Sequence, residues 1–170
     1  MPSDQTLETQ RLALRQFTRE DFSVYARWMS DKQIMAYIGD GQIRSKEKAW
    51  NNFAWLLGHW QLRGYGLWAV ELKESKELIG RIGLFNPAGW PGLEVGWLLD
   101  PAHWGHGYAE EGARASIAFA FNQLEEDSVI SLIHPHNQRS IQLAQRLGMN
   151  EEKKILMSGN ETLIFRLNRT

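Results

Sequence analysis

The segment Val95-Gly-Trp-Leu-Leu-Asp-Pro-Ala-His-Trp-Gly-His-Gly-Tyr-Ala-Glu-Glu111 runs from an apolar stretch through a glycine loop into an amphipathic one. A strand, a tight loop and a helix start in that succession aim several unpaired backbone N–H groups and the positive end of a helix dipole at one spot, which suits a phosphate or pyrophosphate. Gly105 and Gly107 let the backbone approach a ligand that a Cβ would obstruct. Two familiar phosphate loops fit poorly. The chain has no Gly-Lys-Ser or Gly-Lys-Thr to end a P-loop. A dinucleotide fingerprint would need its third glycine where Glu110 stands, after a strand–helix–strand half rather than a meander. Glu94 lies on the same apolar strand, where desolvation should raise its pKa toward neutrality and make it a usable base, directly or through a water. The competing reading puts Glu94 on a solvated strand end, paired with a basic residue.

Composition narrows the chemistry. There is no cysteine, so no disulfide, thiolate metal site, iron–sulfur cluster or cysteine nucleophile is available. With 19 Lys plus Arg against 20 Asp plus Glu and a pI near 6.5, no bulk positive field exists for nucleic acid or an anionic membrane, so any anion must be held locally. His134-Pro-His136, with His103 and His106, lacks a clear carboxylate partner and is read as incidental, not as a metal site. At 170 residues the chain is expected to form one domain, residues 1–170, with a core that needs no staples. No stretch reaches the roughly 20 apolar residues of a membrane span. Met1-Pro-Ser-Asp carries neither a basic region nor an apolar run, so a cytoplasmic location is expected.

The positioning elements follow from periodicity. Arg11–Arg15 alternates as a strand, and Thr18-Arg-Glu-Asp21 reads as the capped start of a helix over about Glu20–Ser30. A second helix runs from Ser45 to Arg63, with Trp50, Phe53, Leu57 and Trp60 on one face and Trp55 and His59 opposite. Leu67–Leu72 and Leu78–Leu84 form a hairpin, and Leu93–Leu99 is dense enough in apolar residues to be a central strand. A helix over Gly107–Leu124, a strand over Ser128–Ile133, a helix over Asn137–Leu147 and a hairpin of Ile155–Met157 with Thr162–Leu167 complete the order. A meander followed by strand–helix–strand units predicts a mixed α/β sheet.

Trp104-Gly-His-Gly-Tyr-Ala109 resembles the coenzyme A pyrophosphate loop of the GNAT N-acetyltransferases in its Trp-led, RimJ/RimL-type form. Leu7–Arg15 with Phe17–Asp21, Leu78–Gly83, Glu94–Pro101 and Asn137–Ser140 through Arg146–Met149 resemble that branch's other blocks in order. The resemblance implies a mainly antiparallel mixed sheet with helices on both faces, and acetyl-CoA as co-substrate without a metal. It implies direct attack of a primary amine, from a protein N-terminus or a small molecule, on the acetyl thioester. Glu94 would take the amine's proton. The backbone near Trp97, Leu98 or Leu99 would polarise the carbonyl. Trp104, Gly105, His106, Gly107, Tyr108 and Ala109 would hold the pyrophosphate, with Asn137 on the pantetheine arm. Many relatives place a Tyr where this chain has Ala144, and Ser140 is the branch's candidate to stabilise the departing thiolate. The other reading of Ser140 is helix capping.

Two further readings stay open: a non-catalytic acyl-CoA sensor or scaffold, and an antibiotic-modifying enzyme, which would need an acidic acceptor cleft. Seven of the eight tryptophans fall between Trp50 and Trp104, Trp28 being the exception. Most are expected in the core, including Trp50 and Trp60. Trp55 and Trp90 are expected to line the acceptor pocket or a homodimer interface.

Overall fold

The computed structural model describes residues 5–170, and the expectation drawn from Met1–Asp4 lies outside them. Leu12 and Leu14 alternate into the core of strand β2 (Leu12–Arg15), both fully buried. A short strand ahead of the alternation, β1 (Leu7–Glu8), pairs with it, so the Leu7–Arg15 block is two short strands joined by a turn. A single 3₁₀ turn at Arg19–Asp21 then leads into α1 (Phe22–Met29). Its entry is held as the capping pattern predicts, with the Thr18 N–H donating to Asp21 Oδ2 at 2.8 Å. Asp31 caps a second unanticipated element, α2 (Lys32–Met35), by accepting from the Gln33 and Ile34 N–H groups. Helix α3 (Lys46–Arg63) starts at the Ser45 cap and stops at left-handed Gly64, as its sequence signals require.

The face assigned to α3 needs correction. Its buried stripe is Ala49, Phe53, Leu56 and Trp60, with His59 beside it, while Trp50 is 55 % exposed. Trp50 leans edge-on against Phe22, at the rim of the core and not inside it. His59 is buried because both ring nitrogens have partners: Nε2 accepts the Asn86 N–H at 3.0 Å, so Nδ1 donates to the Tyr65 carbonyl at 2.9 Å. Burial lowers its pKa and keeps it neutral.

Strands β3 (Leu67–Leu72), β4 (Leu78–Phe85), β5 (Glu94–Leu99), β6 (Ser128–Ile133), β7 (Asn150–Met157) and β8 (Asn160–Asn168) complete the sheet. The strand order is β1-β2-β3-β4-β5-β6-β8-β7, antiparallel throughout except for β5 and β6. The closing hairpin is longer than periodicity suggests, because Asn150-Glu-Glu-Lys-Lys154 is an edge with no apolar alternation.

Helices α4 (Tyr108–Asn122) and α5 (Gln138–Arg146) cover one face, where Ile82, Val95, Leu99, Ala113, Ala120 and Leu143 join the larger apolar cluster. Gly112 explains itself there: a Cβ would come within 2.7 Å of Ile82 Cδ1, so helix α4 lies directly on the sheet. Helices α1–α3 cover the other face through Tyr25, Trp28, Met35, Phe53 and Leu56 against Leu67, Ala69, Phe85 and Leu98. The fold is thus a mixed, mainly antiparallel sheet with helices on both faces.

Candidate active site

Parallel strands β5 and β6 pair at a single register position, Glu94 with Ile130, and then separate. The gap is the structural centre of the site. Asp100 N–H donates to Ile79 O at 2.8 Å, which sets the alternation along β5: Leu98 turns its backbone groups to β4, while Val95, Trp97 and Leu99 turn theirs toward the gap. Two of these are visibly used, since Val95 O accepts from Ser131 Oγ at 2.7 Å and Leu99 O accepts from the Trp104 indole at 2.9 Å. Of the three residues expected to polarise a carbonyl, Trp97 and Leu99 therefore present an N–H to the gap, and Leu98 contributes only its side chain.

On the α4–α5 side the gap opens into a cavity of about 770 Å³ lined by Trp97, Leu99, Trp104, Gly105, Gly107 and Tyr108, with Asn137, Arg139 and Ser140 opposite. The loop below it is a nest of backbone donors. Gly105 and Gly107 have φ of +81° and +80°, and Gly107 caps α4. The first helical bond is Glu111 N–H to Gly107 O, which leaves the N–H groups of the preceding helical residues free for an anion. Arg11 staples this loop to the β1–β2 turn: Nη1 donates to His106 O at 2.9 Å and Nε to Glu111 Oε2 at 2.7 Å. Trp104 holds its other side against β5, and Arg139 stacks over that indole at 4.0 Å. His106 is exposed and its side chain does not line the cavity. Of the two arginines in the cavity wall, Arg146 pairs with Glu110 at 3.1 Å, and Arg139, which sequence reading passed over, forms no ion pair with a described residue. Its only sequence signal was its place in the first turn of α5.

On the opposite side lies a second cavity of about 340 Å³ with Glu94, Arg81, Asn52, Trp55, Phe85 and Trp90 in its wall. Trp55, Phe85 and Trp90 meet edge to face, with centroids 4.8–6.0 Å apart. The Trp90 indole donates to Glu94 Oε2 at 2.7 Å. Burial pushes Glu94 up to about 7, while the Trp90 hydrogen bond and the nearby Arg81 charge restrain it. The solvated-end reading of Glu94 is not what the structure shows, since the side chain is half-buried in the cavity wall and no basic side chain among the described residues forms an ion pair with it. Removing the indole donor with Trp90→Phe should raise the base-limb pKa of kcat/KM above that of the wild type, measured as a pH–rate profile.

The two cavities share Tyr37, Ile38, Trp97, Asn137 and Ser140, so they meet at the strand gap. Asn137 caps α5, accepting the Ser140 N–H at 3.3 Å. The capping role weighed for Ser140 thus belongs to Asn137. Ser140 Oγ instead accepts the Trp97 indole N–H at 3.1 Å, leaving its own proton to donate elsewhere. Ala144 is fully buried and lines neither cavity. The phenol at the junction comes from Tyr37, which carried no signal in the sequence. His134 Nδ1 accepts the His136 N–H at 3.1 Å, and no group of three or more potential metal-binding side chains gathers among the described residues.

A helix N-terminal loop with free backbone donors and a carboxyl with a raised pKa thus stand on opposite sides of a split sheet, an arrangement suited to moving a group between a phosphate-bearing carrier and a second substrate. Residues 11–150 match the acetyltransferase (GNAT) domain family, and the chain belongs to that family. It is 31 % identical to the uncharacterized protein YkkB of Bacillus subtilis over 157 residues, covering 88 % of this chain and 87 % of that one. It is 29 % identical to the uncharacterized N-acetyltransferase YnaD of the same organism, covering 91 % and 90 %. The solved acetyltransferase from Agrobacterium tumefaciens superposes with a TM-score of 0.89 at 33 % identity, covering 98 % and 96 %. The chain is accordingly an acyltransferase whose co-substrate is acetyl-CoA.

Proposed function

We propose that this chain, acting as a single domain of RimJ/RimL type, moves the acetyl group of acetyl-CoA to a primary amine by direct attack while both are bound. The observation that carries this reading is the junction of the two cavities at the β5–β6 gap, with Glu94 in the wall of one and Ser140 at the junction itself. The α4 N-terminal loop, with Arg139, suits the pyrophosphate, and Asn137 Nδ2 suits the amides of the pantetheine arm. Glu94 Oε1 or Oε2 receives the proton of the bound ammonium, directly or through water. As the amine nitrogen bonds to the acetyl carbon, the carbonyl oxygen gains charge opposite the Trp97 N–H, and the carbon–sulfur bond breaks. The Ser140 hydroxyl, made a stronger donor by the indole N–H it accepts, gives its proton to the departing sulfur and takes up the second proton that the acetylated nitrogen sheds, so coenzyme A leaves as the thiol.

The antibiotic reading called for an acidic cleft. Glu94 is the one carboxylate in the acceptor-cavity wall among the described residues, beside Arg44 and Arg81. A small amine is favoured over a threaded protein N-terminus by the modest cavity and by its roof, where Asn160 Nδ2 approaches Gly39 O at 3.5 Å from the tip of the β7–β8 hairpin. Trp55, 45 % exposed on the cavity wall, serves as an apolar anchor for that acceptor.

Direct transfer predicts intersecting double-reciprocal lines when acetyl-CoA and a primary amine are varied together, and parallel lines would contradict it. Ser140→Ala should lower kcat about tenfold with little change in acetyl-CoA KM. Wild-type kcat in that variant, with loss in Tyr37→Phe, would move the acid role to Tyr37.

A further inference from the structure

Beyond restraining the Glu94 carboxyl, Arg81 has no part in the mechanism just described, yet it points from the centre of β4 into the acceptor cavity. On β4 it stands between Ala69 and Leu98, both in the apolar cluster beneath α1–α3. Its Nε is sealed from solvent and has no hydrogen-bond partner. Unlike Arg44 in the same wall, which is paired with Asp40 at 2.8 Å, it forms no ion pair with any described residue. A guanidinium carries five donors, no acceptor and a permanent charge, so an apolar floor is a costly place to leave it unpaired.

The neighbouring polar groups point the same way. The Tyr25 hydroxyl donates to Asn52 Oδ1, so the group Asn52 has left to offer the cavity is its Nδ2 donor. The remaining charged group in reach is Glu94, which already accepts from Trp90. Two donor-only groups therefore face a space that also borders a proton-accepting carboxylate. That arrangement complements a zwitterion.

We infer that Arg81, assisted by Asn52, is an anion subsite, and that the acceptor is a small primary amine carrying a carboxylate. The inference rests on the transfer reading above and narrows its acceptor. The amine end meets Glu94 and the acetyl carbon, while the carboxylate takes the planar guanidinium fork, a geometry Lys would not reproduce.

The test compares α-, β- and γ-amino acids with the matching amines that lack the carboxylate, at pH 9, about two units above the Glu94 value of about 7. Wild-type kcat/KM should favour the amino acid of matching length at least tenfold over its neutral partner. Arg81→Met should abolish that preference, lowering the anionic acceptor's kcat/KM tenfold to a hundredfold more than the neutral amine's and leaving the acetyl-CoA KM within about twofold. Arg81→Lys should keep part of it. Equal loss for both acceptors in Arg81→Met would assign Arg81 a structural role. A wild-type preference for neutral amines, or for a short peptide over every free amino acid, would overturn the inference.

Calorimetric binding of the same amino acids to the CoA-loaded protein separates this failure from failure of the transfer reading. Binding that Arg81→Met weakens tenfold, without thiol release, supports the subsite and refutes transfer. Binding unaffected by Arg81→Met, or no binding, refutes the subsite.

Discussion

Glu94→Gln is expected to lower kcat at pH 8 by about 10²- to 10⁴-fold, the usual contribution of a positioned base, while acetyl-CoA affinity stays unchanged. The wild-type rate should rise with pH through about 7, where the Glu94 carboxylate forms, and the residual rate of the variant should lack that limb. The same substitution should act on stability in the opposite sense. Because the folded pKa of about 7 lies above the usual 4.5, the folded state holds a proton between those pH values that the unfolded chain has released. Stability is therefore fullest below that window and falls as pH rises through it, a cost on the order of 3 kcal/mol above pH 7. Glu94→Gln removes that cost. Urea denaturation should find the variant more stable than the wild type at pH 8 and nearly equal to it at pH 4.5. A slower but no more stable enzyme at pH 8 would mean that the carboxylate is not desolvated.

The second large effect concerns the anion loop. At about 100 Kd of acetyl-CoA the wild-type protein should gain about 2.7 kcal/mol, a thermal shift of roughly 5–10 °C for a chain of this length. Gly107 holds a φ of +80° at the cap of α4, a region where a β-branched residue is a strained outlier. Gly107→Val should therefore distort the donor nest, raise the acetyl-CoA KM tenfold or more and cut the stabilisation at the same ligand concentration to about 1.4 kcal/mol or less. Its kcat at saturating acetyl-CoA should stay within a few-fold of wild type, because Glu94 and Ser140 lie on other elements. A full thermal shift in Gly107→Val would place the pyrophosphate elsewhere.

What could be read from the chain was what lies close together along it. The strand, glycine loop and helix start of Val95–Glu111 are contiguous, so their order alone implies an anion site, and Glu94 on an apolar strand implies a raised pKa. The cavity around Glu94 is assembled from α3, β4, β5 and the turn before β5, and no local pattern marks Arg81 or Asn52 as neighbours of Glu94. Tyr37 follows a four-residue helix too short to show a period. In α3 the apolar residues spread around the helix, so Trp50 outweighed Ala49 in choosing a face that packing gives to Ala49, Phe53 and Leu56. Strand β7 exists because β8 pairs with it, and its own Asn150-Glu-Glu-Lys-Lys154 carries no strand signal. The Trp97 indole reaches Ser140 across 43 positions of chain, which only the folded molecule reveals.

The central claim is that the two cavities join two substrates across the β5–β6 gap. Its most direct test is thiol release from acetyl-CoA in the presence of a panel of primary amines, with the acetylated product counted by mass spectrometry in the same reaction. One acetylated amine per thiol released, at a rate that climbs with pH through about 7, is the predicted result. A thermal shift with acetyl-CoA but no amine-dependent thiol release would contradict the claim and leave an acyl-CoA-binding module in its place.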